Sequence, residues 1–137
     1  PGKRPRATLT PGMAIKDGQP YLSFAVQGGD GQDQNLLQFF LNMVEWDMNV
    51  QQAVEAANIN SSQMKGSFAE HPSDPGAILV REDTPPWVLA DLRSMGYDIS
   101  TSPLTSGPIN AIFFDIRNRT MWGGSSNHGE DYGIAWE

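Results

Sequence analysis

The sequence predicts an α+β domain, with helices layered on a sheet. Three observations lead there. An apolar run with a tight-turn pair opens the folded part, apolar residues at helical spacing follow, and short strand-like runs close it. The predicted order is ββααβαβββ, and the length of 137 residues fits one domain spanning 1–137.

Each element has its own reason. Pro1 to Pro11 is polar and proline-rich, hence extended or loop. Met13 to Lys16, Asp17-Gly18 and Gln19 to Val26 read as a hairpin, because Asp-Gly suits a two-residue turn. Tyr21 to Val26 is apolar nearly throughout, as a buried central strand would be. After Gln27-Gly28-Gly29-Asp30-Gly31-Gln32 a helix is predicted to about Asp47. Leu37, Phe40, Leu41 and Val44 form one stripe on it, and Leu36, Phe39 and Met43 a second, which predicts burial on two sides.

Asn49, with Gln52 three residues on, reads as a capping box for a short helix whose core face is Val50, Ala53, Val54 and Ala57. Asn58 to Gly76 is polar and irregular, and Ala77 to Val80 is a short strand. Thr84 is the expected cap of a third helix with Pro85 and Pro86 in its first turn. Val88, Leu89, Leu92 and Met95 are its expected buried stripe, ended by Gly96. Asp98 to Ser102, Ile109 to Ile116 and Thr120 to Trp122 read as strands.

Composition narrows the partners. There is no cysteine, so neither a disulfide framework nor thiolate chemistry is available. The net charge is −7, and it grows more negative beyond the basic arm of Lys3, Arg4 and Arg6. An acidic surface repels phosphate backbones, so no nucleic acid partner is expected. No apolar run approaches membrane-spanning length, so no membrane partner is expected either. His128, Glu130 and Asp131 match no common zinc spacing and read as a solvated loop; no metal or cofactor is expected. Pro1 as an N-terminal base of a tautomerase has no supporting motif around it.

The informative segment is the junction at Gly28-Gly29. Two glycines between a buried strand and a helix let backbone N–H groups approach a ligand closely. The following helix directs its positive end there, favouring a bound anion or a developing oxyanion. A strand-to-helix turn that needs positive φ and holds no ligand explains the same residues. A dinucleotide loop does not, since Gln32, Asp33 and Gln34 follow Gly29-x-Gly31 with no third glycine. A Walker-type loop is excluded by the missing Gly-Lys-Ser/Thr.

Five segments in order resemble one family. Gly2-Lys3-Arg4-Pro5-Arg6-Ala7-Thr8-Leu9-Thr10-Pro11 is similar to the Gly-Lys-Arg-Pro…Ser-Pro segment of γ-glutamyltransferases (γ-glutamyltranspeptidases). So are the hairpin leading to Gly28-Gly29, the helix–turn–helix of Asn42 to Ala57, the helix ending at Met95-Gly96, and Gly124 to Gly133. The resemblance implies part of an αββα sandwich of the N-terminal-nucleophile hydrolase type. In that family a precursor cuts itself, and the freed threonine of the small subunit attacks a γ-glutamyl amide, with its own amine available as base.

This chain resembles the C-terminal part of that small subunit and has no segment like the nucleophile motif. The expected partners are therefore the missing N-terminal part of the small subunit, the large subunit and a small-molecule γ-glutamyl donor resembling glutathione. Alone the chain is expected to be inactive. By the resemblance, Gly28 and Gly29 fall on the glycine pair that holds the oxyanion. Ala7 and Thr8 fall on the serine pair that binds the donor's α-carboxylate. Ala7 lacks a hydroxyl there, which points toward an acylase-like relative with a different donor. Asp30 stands where serine is common and is expected to cap the helix. A non-catalytic domain binding a small anion at Gly28-Gly29 is the reading from another class. The compartment, periplasmic or cytoplasmic, stays open.

Overall fold

The computed structural model describes residues 1–5, 7–128 and 133–134. Among the described residues seven strands form two sheets, accompanied by three α-helices. β1 (Gly12–Lys16) and β2 (Gln19–Val26) make the expected hairpin. Asp17 and Gly18 both take positive φ, at 52° and 75°, as a tight hairpin turn matched to strand twist requires. A short 3-10 turn (Gly29–Gly31) leads into α1 (Gln32–Val44), and α2 (Val50–Glu55) follows. The capping box forms as predicted: Gln52 N donates to Asn49 Oδ1 at 2.9 Å, and Asn49 N donates to Gln52 Oε1 at 3.1 Å.

The remaining elements are β3 (Ile59–Ser61), β4 (Ala77–Arg81), α3 (Pro86–Ser94), β5 (Asp98–Ser102), β6 (Ile109–Asp115) and β7 (Thr120–Ser125). An antiparallel sheet runs β1-β2-β6-β7, and a smaller one runs β3-β4-β5 with β4 and β5 parallel. The core lies where α1 and α2 cover one face of the larger sheet. Leu22, Val26, Ile109 and Ala111 meet Phe39, Met43, Val50 and Ala53 there.

Several expectations need correction. β3 falls inside the stretch read as irregular. Its pairing partners outside the sheet are side chains that a strand pattern cannot reveal. Gln34 brackets Ser61, accepting from its N–H at 2.7 Å and donating to its carbonyl at 3.0 Å. Gln38 does the same for Ile59, at 2.8 Å in both directions. Glutamines four apart on a helix recur every 6 Å or so, close to the two-residue repeat of a strand, so α1 closes the strand's open edge.

α1 is shorter than predicted and buried on one face only. Leu36, Phe39 and Met43 are buried, while Leu37 and Leu41 are exposed and Phe40 and Val44 half-buried. Thr84 does not cap α3. Pro85 takes the cap position with extended backbone, and Thr84 N instead donates to Arg81 O at 2.9 Å in the preceding turn. Nor does α3 bury a stripe: Val88 and Met95 are exposed and Leu89 and Leu92 half-buried. It packs beside β5, at the margin of a sheet only three strands wide.

The face of the larger sheet opposite its helices is open. Strand alternation puts Met13, Ile112 and Met121 on it, and they are 60%, 43% and 69% exposed. Large apolar side chains exposed together on one sheet face mark an interface. The isolated chain is therefore expected to bind a hydrophobic dye and to self-associate. The double change Ile112→Lys and Met121→Lys should abolish both without lowering the melting temperature. A parent chain that is monomeric and dye-silent would contradict this description of the face.

Candidate active site

The strand-to-helix turn is built from its two ends inward. β2 ends at Val26, whose carbonyl accepts from the buried Gln32 side chain at 2.9 Å and from Thr10 Oγ1 at 3.4 Å. The first helical residue thus reaches back to the last strand residue and closes the turn. Gln27 N donates to Pro108 O at 3.2 Å, which ties the turn to the start of β6. Beneath it the backbone of Gly107 lies so close that a Cβ there would overlap Gln27 O.

Within this frame Gly28 has φ 146° and Gly29 φ 59°, both in the region that favours glycine. A Cβ on Gly28 would meet nothing within 4 Å, so that side of the turn is open. Gly29 has the Phe68 ring 3.4 Å from where its Cβ would lie. The 3-10 turn and α1 run away from this point, so their unpaired N–H groups and positive dipole end lie at the glycines.

A cleft of about 530 Å³ opens beside the turn. It brings Ala7, Thr8 and Gly29 together, although Thr8 and Gly29 are far apart in sequence. Gly28 adjoins the cleft without lining it. Ala7 is exposed and Thr8 half-buried. Gln32, Asp33 and Gln34 from α1 line it too, with Gln63, Lys65 and Ser67 from the following loop.

Asp30 is not the helix cap it was expected to be. Gly31 holds the cap position of α1, and no side chain caps the helix. The Asp30 carboxylate instead accepts from Ser67 N at 2.6 Å, across 37 residues. The 3-10 turn inserted before α1 carries Asp30 one step away from the capping geometry.

A largely buried amide network links Asn35, Asn58, Asn60 and Thr105. Asn58 Nδ2 donates to Asn35 Oδ1 at 2.6 Å, and Thr105 Oγ1 donates to Asn58 Oδ1. Asn60 Nδ2 donates to Thr105 O. It joins α1 to the segment ahead of β6, the same segment whose Gly107 supports the turn. Sequence reading missed Gln32, Gly107 and this network. The Gly107-Pro108 pair was the available signal, as a punctuation mark beside an apolar strand.

A second cleft of about 410 Å³ includes Arg81, Asp83, Thr105 and His128. Arg81 forms a two-point contact with the Asp83 carboxylate, at 2.6 and 2.7 Å. That hydrogen-bonded guanidinium holds the Asp83 carboxyl below the ordinary carboxylate range. Glu130 and Asp131, considered with His128 as a metal cluster, lie outside the described residues. Pro1 is exposed and does not line either cleft.

The α+β fold agrees with the one expected for part of an N-terminal-nucleophile hydrolase, and comparison with known proteins gives the family. The family model described as gamma-glutamyltranspeptidase matches residues 1–136. The glutathione hydrolase proenzyme of Bacillus subtilis (strain 168) is 32% identical over 136 residues, which is 98% of this chain and 21% of that protein. The acylase ACY 1 proenzyme of Pseudomonas sp. (strain V22) is 28% identical over 84% of this chain and 18% of its own length. The solved structure of LmbA2991T421A superposes with TM-score 0.89 at 33% identity, over 99% of this chain and 24% of that one. The γ-glutamyltranspeptidase from Pseudomonas nitroreducens complexed with L-DON shares the fold, with TM-score 0.79 at 22% identity over 100% of this chain and 66% of that one. The chain belongs to the γ-glutamyltranspeptidase family. It spans about a fifth of the length of the curated relatives it matches.

The packing at Gly107 gives a direct test. Gly107→Ala should destabilise the chain by about 3 kcal/mol or more, because the added carbon overlaps Gln27 O and the backbone must shift. Urea titration measures it. A midpoint equal to the parent's would mean that the close approach is not present in solution.

Proposed function

We propose that this chain is the C-terminal part of the small subunit of a γ-glutamyltransferase-like enzyme, supplying the oxyanion hole and part of the acyl-donor pocket. The nucleophile, an N-terminal threonine, belongs to the segment preceding this chain in the complete protein. The observation that carries the reading is one cleft that takes Gly29 from a positive-φ glycine turn and Ala7 and Thr8 from the extended N-terminal arm. An acyl group seated there would have its carbonyl at the turn and its distal end at the arm.

The chemistry follows from the parts. Attack of the threonine hydroxyl on the amide carbon pushes a pair of electrons onto the carbonyl oxygen. Backbone N–H groups of Gly28 and Gly29, with the helix end behind them, stabilise that charge without rearranging, because the turn is already held by Gln32, Pro108 and Gly107. The leaving amine takes a proton, and water or an amine then accepts the acyl group. The remainder of the complete enzyme supplies the second sheet that covers Met13, Ile112 and Met121.

A second reading, an acylase with a different donor, is favoured by Ala7. A serine hydroxyl there would donate to the donor's carboxylate, and such a bond is worth about 1.5–3 kcal/mol. In the complete enzyme, Ala7→Ser is therefore expected to lower KM for a γ-glutamyl anilide by about tenfold or more, leaving kcat nearly unchanged. An unchanged KM would remove Ala7 from the donor pocket. For the oxyanion role, the informative change is replacement of the Gly29 N–H by an ester oxygen, introduced by semisynthesis into the complete enzyme. Expected is a fall in kcat of about a hundredfold with KM little altered. Full turnover in a folded ester variant would overturn the assignment.

A further inference from the structure

The loop between β3 and β4 has no part in the chemistry above, yet it is tightly made. Its ends meet where Ser62 N donates to Ala77 O at 3.1 Å. Gly66 N donates to Pro72 O at 2.8 Å, Asp74 N to Ser62 O at 2.8 Å, and Ser73 Oγ to Gln63 O at 2.7 Å. Ala69 and His71 are held at positive φ, 49° and 54°, a conformation that non-glycine residues adopt only when their surroundings impose it. This is a compact Ω-type loop rather than a solvated strand connection.

Three contacts aim it at the cleft. Gln63, Met64, Lys65 and Ser67 line the same space as Ala7, Thr8 and Gly29. The Phe68 ring stands against Gly29. Ser67 N donates to the Asp30 carboxylate at 2.6 Å, one residue beyond the glycine pair.

We propose that the loop of residues 62–76 is the wall of the cleft that selects the acyl group, and that Asp30 is a positioning residue pinning this wall to the Gly28-Gly29 turn. The inference rests on the acyl-transfer reading given above. A charge-assisted hydrogen bond is short and strong, so one carboxylate can set the distance between the loop and the turn. With Asp30 replaced by alanine, the loop keeps its internal bonds and its Phe68 contact with Gly29 but loses this bond to the turn, and the loosened cleft admits bulkier acyl chains. Asp30 also lines the cleft; the positioning role proposed for it is exerted through its bond from Ser67 N.

The test uses the complete enzyme as parent, Asp30→Ala and Asp30→Asn. Asparagine keeps a carbonyl oxygen that can accept from Ser67 N; alanine does not. Two anilides with the same leaving group are compared, one with a straight acyl chain and one with a bulky one, and amide hydrogen exchange is followed at Ser67. In Asp30→Ala we expect exchange at Ser67 to quicken about tenfold or more. The kcat/KM preference for the straight acyl chain should fall at least fivefold, and Asp30→Asn should lie near the parent on both readouts. An Asp30→Ala enzyme that loses turnover equally on both substrates, or whose Ser67 exchange is unchanged, overturns the proposal. A parent inactive on every acyl anilide would refute the functional reading and the selectivity claim with it, whereas Ser67 exchange decides the latch without any turnover.

Discussion

Backbone contact between Gly107 and Gln27 sets the position of the Gly28-Gly29 turn relative to everything around it. No side chain fits between them, so β6 and the end of β2 meet at the distance of bare peptide groups. Gln27 N then bonds Pro108 O, and Gln32 reaches back to Val26 O. The turn is fixed from below and from both sides, leaving its upper face open at Gly28. A preorganised donor pair needs this arrangement, since stabilisation of a developing charge is lost if the donors must first move into place. Rigidity beneath and openness above are consequences of the same glycine usage.

The amide side chains organise the rest. Gln34 and Gln38 close the edge of β3, and Gln51 does the same at Ser125, donating to its carbonyl at 2.8 Å and accepting from its N–H at 3.1 Å. Asn35, Asn58, Asn60 and Thr105 link α1 to the segment that carries Gly107. Polar groups buried with partners stiffen a structure at little net cost; Asn60 Oδ1 is the exception, buried with no hydrogen-bond partner among the described residues. The core therefore needs only one well-packed side of α1, and the opposite sheet face can stay apolar for a partner.

Much of this was legible in the sequence because it is local. The Asp17-Gly18 turn, the Asn49 box and the strand–Gly28-Gly29–helix order are short-range patterns with physical causes, and each is found where it was read. Long-range matters were not legible. The stripe on α3 looked like a core face, but a three-stranded sheet offers it too little surface. Asp30 looked like a helix cap, but a 3-10 turn and a distant loop took its carboxylate. That Ala7 and Thr8 share a cleft with Gly29 is a tertiary fact, and only the ordered resemblance to a family anticipated it.

The central claim is that Gly28 and Gly29 hold the oxygen that becomes negative during acyl transfer. A crystal structure of the complete enzyme with a boronic acid bound as a tetrahedral adduct on its threonine tests it most directly. The account predicts one adduct oxygen about 2.7–3.1 Å from the backbone nitrogens of both glycines, with the rest of the ligand running toward Ala7 and Thr8. An adduct oxygen directed away from the turn, held by other donors, would contradict it.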